Sequence, residues 1–235
     1  MRNPPPIPIF KKKKKTWLNA KWFILLGFLA VIFLAGFAAY LTQKSKQPYT
    51  TSKTELEFIV GEDRLLVPSN LVRFSAATSR SDAQSLKLAM VWPSGDGYSE
   101  ENAVKFADTS DNSKIIFMEI TKRQLRLDMT GRLQSVYSAL FEGPPQNGPA
   151  GLKMQNLRKN SGYDGEQLAI YIDNSIAWVA RCQQGQTGLR ATCMRDLHVG
   201  TNASLTYRFP VKLLQYWREI EELVVYRIEQ AMEPL

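Results

Sequence analysis

The chain has 235 residues and a formal net charge of +8, from 30 basic and 22 acidic residues. Nine of the basic residues and none of the acidic ones precede Gln47, so the rest of the chain has a net charge near −1. A nearly neutral folded part argues against nucleic-acid binding, which needs a concentrated basic surface. One His and two Cys also exclude the usual His-rich or Cys-rich metal sites.

Residues 1–21 form a tail rich in proline and lysine that we expect to lie in the cytoplasm. Its four prolines are typical of a polyproline-II ligand, and equally of a disordered stub that only sets topology. The stub is the simpler interpretation. The run of five lysines is expected to contact anionic lipid headgroups at the membrane surface. These residues are Lys11, Lys12, Lys13, Lys14 and Lys15.

Residues 22–41 read WFILLGFLAVIFLAGFAAYL and contain no charge, which predicts one transmembrane helix. As a helix, these residues would span roughly 30 Å, about the thickness of the hydrocarbon layer. Seven basic residues precede the segment and three follow closely, so the N-terminus should stay in the cytoplasm. A cleaved secretory signal ending near Gly36-Phe37-Ala38 is the alternative, and it exports the remainder equally well.

The rest of the chain is predicted to be a linker over 42–53 and one compact periplasmic domain over 54–235. The predicted fold class is α+β, with a mainly antiparallel β-sheet and about three helices after the transmembrane helix. Alternating apolar residues predict a hairpin over 55–67 that turns at GEDR. The same alternation predicts strands around 86–92, 115–120, 152–154, 168–172, 176–180 and 205–209.

Helical spacing predicts three helices in this domain. The first is a short helix capped by Ser99 that runs through Ala107, and the second is capped by Asp128 or Thr130 and runs through Phe141. The third begins at Pro210 and carries a long apolar stripe that is expected to cover the sheet. Residues 142–151 (EGPPQNGPAG) are predicted to be a loop, since no Gly-Lys-Ser/Thr follows to make a phosphate cradle.

Cys182 and Cys193 are separated by ten residues, and strand-like segments flank both. Cysteines on neighbouring antiparallel strands come close enough to bond, and an exported domain meets an oxidising compartment. We therefore predict a structural disulfide that stabilises the fold by roughly 2–3 kcal/mol. The alternative, a redox-active pair, lacks the Cys-x-x-Cys arrangement that lowers a thiol pKa.

Few residue patterns point to chemistry, and no cofactor or metal site is predicted. His198 follows Asp196 by two residues, but no Gly-x-Ser-x-Gly motif accompanies them, so a simple surface hydrogen bond is expected. A local basic strip could meet an anionic glycan or lipid headgroup, although solvated charge explains it as well. Its residues are Lys122, Arg123, Arg126 and Arg132.

The segments LEFIVGEDRLLVPSNLVRF (56–74) and LTYRFPVKLLQYWREIEELV (205–224) resemble uncharacterised single-span envelope proteins of alphaproteobacteria. The resemblance implies an inner-membrane anchor with a periplasmic domain and brings no known activity. The leading hypothesis is a non-catalytic binding or assembly module of a cell-envelope complex, with a protein partner of unknown identity. The alternative is an envelope hydrolase or transferase, which two converging carboxylates in an open cleft would favour.

Overall fold

The computed structural model describes residues 17–44, 49–73, 85–174, 176–183 and 191–232. The chain divides into two compact units, residues 1–47 and 48–235. The described part of the first unit is helix α1, Trp17–Lys44, in which the side chains of residues 24–36 are all exposed. Among the described residues, no helix is both long enough and apolar enough to cross a membrane. The predicted span over 22–41 is therefore not supported. The predicted membrane-contacting lysines, Lys11 to Lys15, lie outside the described residues.

Within the described residues, the second unit contains ten strands and two α-helices. The strands are β1 Glu55–Val60, β2 Asp63–Pro68, β3 Ser85–Val91, β4 Ile115–Lys122, β5 Phe141–Asn147, β6 Lys153–Leu157, β7 Glu166–Ile172, β8 Ala177–Gln183, β9 Thr192–Val199 and β10 Ala203–Pro210. The helices are α2 Ala103–Ala107 and α3 Trp217–Ala231. Shorter helical turns are Leu133–Tyr137 (π), and Ser138–Leu140, Pro149–Gly151 and Val211–Tyr216 (3₁₀).

Strands β3 to β10 form one eight-stranded sheet in the order β3-β4-β10-β9-β8-β7-β6-β5, and β1 pairs with β2 in a separate hairpin. Every pair of neighbouring strands is antiparallel. The prediction of a mainly antiparallel α+β domain is therefore confirmed for the second unit. The β1–β2 hairpin turns where the GEDR sequence indicated, between Val60 and Asp63.

Helix α3 covers one face of the sheet, as its apolar stripe indicated. Trp217, Ile220 and Val224 are buried on the helix, and the Trp217 ring lies 4.9 Å from that of Trp178 on β8, centre to centre. Because side chains alternate along a strand, the same face carries Tyr207, which is completely buried. Packing of the helix against the strands forms the main hydrophobic core.

The β1–β2 hairpin is fixed to the turn between β9 and β10 by one buried carboxylate. Asp63 accepts hydrogen bonds from the backbone N–H groups of Thr201 (2.6 Å) and Asn202 (2.8 Å). A side chain at Gly200 would come within 2.4 Å of the Asp63 carboxylate, so this close approach requires glycine. The sequence pattern predicted the hairpin itself but gave no sign of this attachment.

Within the described residues, strands β8 and β9 form three residue pairs, whereas β9 and β10 form eight. Cys182 lies directly opposite Cys193 in the middle of the short ladder, and the two form the predicted disulfide. Just beyond the ladder, Nη1 of Arg195 donates a hydrogen bond to the backbone oxygen of Val179 (3.0 Å). The arginine thus occupies a carbonyl that a longer ladder would have paired with a backbone N–H.

The structure corrects the second predicted helix. The chain coils over Leu133–Tyr137 and Ser138–Leu140, but as one π turn followed by one 3₁₀ turn, and it is already extended at Phe141. Asp128 does cap a turn, by accepting a hydrogen bond from the backbone N–H of Gly131 (2.8 Å). Helical spacing persists over these residues, but a wide π turn followed by a tight 3₁₀ turn replaces the regular α-helix.

The predicted loop over 142–151 is wrong for its first half, which belongs to strand β5. This strand lies at the edge of the sheet and its register shifts between Glu142 and Gln146. An edge strand tolerates proline because one side of its backbone needs no partner. Nε2 of the buried Gln155 donates to the carbonyls of Glu142 (3.1 Å) and Gly143 (3.0 Å), which the bulge would otherwise leave unpaired.

Candidate functional site

The sheet face opposite α3 carries an open cleft of about 590 Å³. Tyr49 and Phe106 pack on this face at the β3–β4 end, and Leu133 and Tyr137 pack on it at the β7–β8 end. Between these two groups of packed side chains, the described strands remain accessible to solvent. The cleft is lined by Arg73, Lys87, Leu88, Ile115, Phe117, Met118, Glu119, Gln183, Thr192, Met194, Thr206, Arg208, Phe209 and Pro210.

Two exposed arginines flank one aromatic ring in the cleft. The guanidinium carbon of Arg73 lies 5.4 Å from the centre of the Phe117 ring, and Arg208 is the register partner of Phe117 on the adjacent strand. Nη2 of Arg208 contacts the Met194 sulfur at 3.4 Å. Within the described ranges neither arginine has a carboxylate partner.

The remaining charges of the cleft are paired. Lys87 and Glu119 approach to 3.6 Å at half-exposed positions. A small extension of the cleft contains the ion pair between Arg181 and Glu166, whose Nε and Oε2 atoms are 3.1 Å apart. The two carboxylates of the region, Glu119 and Glu166, therefore each lie against a basic group.

The chemistry available in the cleft is recognition of anions beside an apolar surface. Guanidinium groups bind carboxylates and phosphates through forked, charge-assisted hydrogen bonds. The hydroxyl groups of Thr192 and Thr206 add neutral donors and acceptors. Over the residues that the structure describes, no group of three or more His, Cys, Asp or Glu side chains is arranged to hold a metal ion.

A second polar cluster lies on the α3 side of the sheet and is buried. Nε and Nη2 of Arg195 donate to the Glu221 carboxylate, at 3.0–3.1 Å. Nε1 of Trp178 donates to the same carboxylate (3.1 Å), and the Tyr207 hydroxyl donates to it as well. Nη1 of Arg195 also donates to the hydroxyl of Thr130 (2.7 Å). This cluster holds α3 against the sheet.

The buried cluster raises the pKa of the Tyr207 hydroxyl well above its ordinary value, because burial and then the Glu221 carboxylate oppose ionisation, while Arg195 acts the other way. Sequence reasoning missed this cluster. The signal was present: alternation from Cys193 places Arg195 on the core face of its strand. A charged residue at a core position predicts a buried partner of opposite sign.

The predicted basic strip is partly engaged in internal contacts. Arg123 donates to the backbone oxygens of Val199 and Ala203. Arg132 pairs with Asp196 at 2.6 Å and donates to the backbone oxygen of Leu127. Lys122 and Arg126 are exposed. Anion binding by the four residues Lys122, Arg123, Arg126 and Arg132 stays a prediction.

The expected hydrogen bond between Asp196 and His198 is not found, since Asp196 accepts instead from Arg132. The residues of the cleft were also missed. Arg73, Lys87 and Arg208 look like ordinary solvated positions in the sequence. The pairing of β3, β4 and β10 and the bridge between Val72 and Leu88 bring them together.

The comparisons with known proteins concern the fold. No family model matches the chain, and no curated protein matches it. Among solved structures, an immunity protein of the Stenotrophomonas maltophilia type IV secretion system is similar, with a TM-score of 0.54 and 13% identity, over 78% of this chain and 95% of that one. The iron-regulated outer membrane lipoprotein FrpD of Neisseria meningitidis gives a TM-score of 0.45 and 11% identity, over 78% of this chain and 96% of that one. The first likeness shows that the chain shares the fold of that immunity protein.

Proposed function

We propose that this protein is a non-catalytic binding module of a cell-envelope complex, and that the cleft between Arg73 and Arg208 is where a protein partner docks. The observation that carries the proposal is an open cleft with two arginines that lack a carboxylate partner in the described chain. Arginine and aromatic side chains are enriched at protein recognition surfaces, and both line this cleft. The fold shared with an immunity protein of a secretion system agrees with a non-catalytic, envelope-associated module.

The proposal places the module in the periplasm, held to the inner membrane by a single N-terminal span over 22–41. Three observations support this part. The segment has no charge over twenty residues, the side chains of residues 24–36 in α1 are all exposed, and basic residues are concentrated before the segment. The disulfide between Cys182 and Cys193 fits an oxidising compartment.

Photo-crosslinking in intact cells tests the docking role. Gln183 lines the cleft and is exposed, so a photo-reactive phenylalanine analogue can replace it with little strain. Irradiation of cells that make the full chain should give one protein adduct, which mass spectrometry of the crosslinked peptides can identify.

Gln230 provides the matched control, because it is an exposed glutamine on α3, away from the residues that line the cleft. The same analogue at position 230 should not give the adduct. If position 183 gives no protein adduct, or if both positions give the same one, the cleft is not the docking site and the proposed function is wrong.

A further inference from the structure

We propose that the occupant of the cleft is an acidic peptide segment in which carboxylates lie on either side of an apolar residue, with Arg73 and Arg208 as the two carboxylate anchors. This inference rests on the proposed function and names the chemistry of the partner.

The spacing of the two arginines carries the argument. Arg208 and Phe117 are direct register partners, so their Cβ atoms are about 4.5–5.5 Å apart. The guanidinium of Arg73 lies over the same ring, 5.4 Å from its centre. The two positive groups therefore flank a single aromatic side chain, and a ligand that reaches both must cross an apolar surface between them.

Each guanidinium is prepared for a carboxylate. A flat, weakly hydrated guanidinium that lies over an aromatic ring keeps its hydrogen-bonding edge free, as that of Arg73 does over Phe117. Nη2 of Arg208 donates one hydrogen bond to the Met194 sulfur, and arginine has five N–H donors, so the others stay available. A carboxylate can then accept two parallel N–H bonds from either arginine.

The apolar part of the cleft argues for a peptide rather than an isolated anion. Phe117 and Met194 are only partly buried, so each still presents apolar surface. A volume of about 590 Å³ falls in the range of pockets that enclose a ligand of a few residues. The hydroxyls of Thr192 and Thr206 lie on the same lining and can bond to a peptide backbone.

The acidic groups of the cleft argue against a polyanion such as a nucleic acid or a phosphate-rich glycan. Glu119 lies on the lining and Glu166 lies in the adjoining extension. A continuous run of phosphates would meet these carboxylates, whereas a peptide with two spaced carboxylates avoids them. Glu119 can also accept a hydrogen bond from a peptide N–H.

The test uses the crosslinking analogue at position 183 in the full chain. The segment crosslinked there should contain at least two Asp or Glu residues around an apolar one. Adduct yield should fall at least tenfold in Arg73→Gln/Arg208→Gln, because the charge-assisted hydrogen bonds to both carboxylates are lost. Arg73→Lys/Arg208→Lys should give an intermediate yield, since lysine keeps the charge but loses the fork.

Lys122→Gln/Arg126→Gln is the matched control, because both residues are exposed and lie outside the cleft lining. This control should leave the yield unchanged, and thermal denaturation should show that all variants fold. A synthetic copy of the captured segment should bind the full chain in detergent, and conversion of its acids to amides should weaken binding at least tenfold.

The outcomes separate the two proposals. A protein adduct that persists in the arginine-to-glutamine variant, or that lacks acidic residues, overturns the acidic-peptide inference and leaves the docking role intact. An adduct with a lipid or glycan in place of a protein overturns both the inference and the docking of a protein partner. Loss of the adduct only in the Lys122/Arg126 variant overturns the inference in favour of the basic strip. No adduct at position 183 overturns the docking role itself.

Discussion

A single arginine links three parts of the second unit. Arg195 is 5% exposed and its donors reach Glu221 on α3, the carbonyl of Val179 on β8 and the hydroxyl of Thr130 before the π turn. A buried charge is costly unless every group around it is paired. Arg195 therefore holds the helix, the strand and the preceding turn in one arrangement.

We expect Glu221→Gln to lower the free energy of unfolding by about 3–5 kcal/mol, because it leaves the Arg195 charge buried without its partner. Urea denaturation monitored by tryptophan fluorescence measures the change. Glu222→Gln is the control, since Glu222 is the exposed neighbour on the same helix, and its effect should be small. Equal stability of the two variants would show that the ion pair does not hold α3 to the sheet.

The buried Tyr207 predicts a dependence of stability on alkaline pH. Burial and the Glu221 carboxylate raise the pKa of its hydroxyl well above its ordinary value of 10.0. The unfolded chain then loses this proton at a lower pH than the folded protein does, so the stabilisation is complete below about pH 10 and is lost as the pH rises further.

Above pH 10.0, the ordinary tyrosine pKa, the unfolding free energy of the native protein should therefore fall more steeply with pH than that of Tyr207→Phe. Tyr226 is 55% exposed, and Tyr226→Phe should keep the native slope. Denaturation series at several alkaline pH values measure these slopes. A native slope in Tyr207→Phe would mean that this hydroxyl does not control the alkaline transition.

At the scale of elements, β5 protects the end of the sheet. An edge strand exposes unpaired backbone groups that can recruit another chain. Pro144 and Pro145 remove two of the N–H donors, and the register shift between Glu142 and Gln146 interrupts the regular spacing of the remainder. The same prolines that made the segment look like a loop are what make this strand suitable for an edge.

Pro144→Thr/Pro145→Thr should restore the donors and promote edge-to-edge association. Size-exclusion chromatography with light scattering should show a concentration-dependent dimer or larger species. Pro149→Ala provides the control, because Pro149 lies in the turn after β5, and this variant should elute as the native protein does. If the double variant elutes as the native protein does, the bulge alone is what prevents edge-to-edge association through β5.

Local sequence patterns correctly predicted those elements in which the contacting residues are close together in the sequence. The β1–β2 hairpin, the β7–β8 hairpin and the stripe of α3 follow from alternation or helical spacing. Strand β5 could not be predicted in this way, because its sequence is extended only as a result of pairing with β6 and support from Gln155. The cleft was equally hidden, since its two arginines are more than a hundred residues apart.

At the scale of the whole molecule, the asymmetry of charge leads to a prediction about orientation. A periplasm-dependent reporter such as alkaline phosphatase, fused after Leu235, should be active, and a cytoplasm-dependent one such as β-galactosidase should not. Replacement of Lys11 to Lys15 by glutamine should reduce phosphatase activity severalfold, because these charges retain the N-terminus in the cytoplasm.

Replacement of Lys44, Lys46 and Lys53 by glutamine is the control for that experiment. It removes positive charge from the opposite flank of the segment and should leave phosphatase activity unchanged. Reporter activity confined to the cytoplasm would contradict the periplasmic placement and remove the oxidising environment that we invoke for the disulfide.

The narrow ladder between β8 and β9 gives the eight-stranded sheet a dividing line. On one side lie β3, β4, β10 and β9, and on the other lie β8, β7, β6 and β5. In the part of the chain that the structure describes, three residue pairs, the disulfide and the Arg195 side chain join the two halves of the sheet. Arg208 lies on one half of the sheet and Gln183 on the other, so a molecule bound in the cleft contacts both sides of the β8–β9 ladder. A ligand bound in the cleft should therefore make the pairing of β8 with β9 more rigid. Slower hydrogen exchange of the backbone amides in β8 and β9 would show this effect.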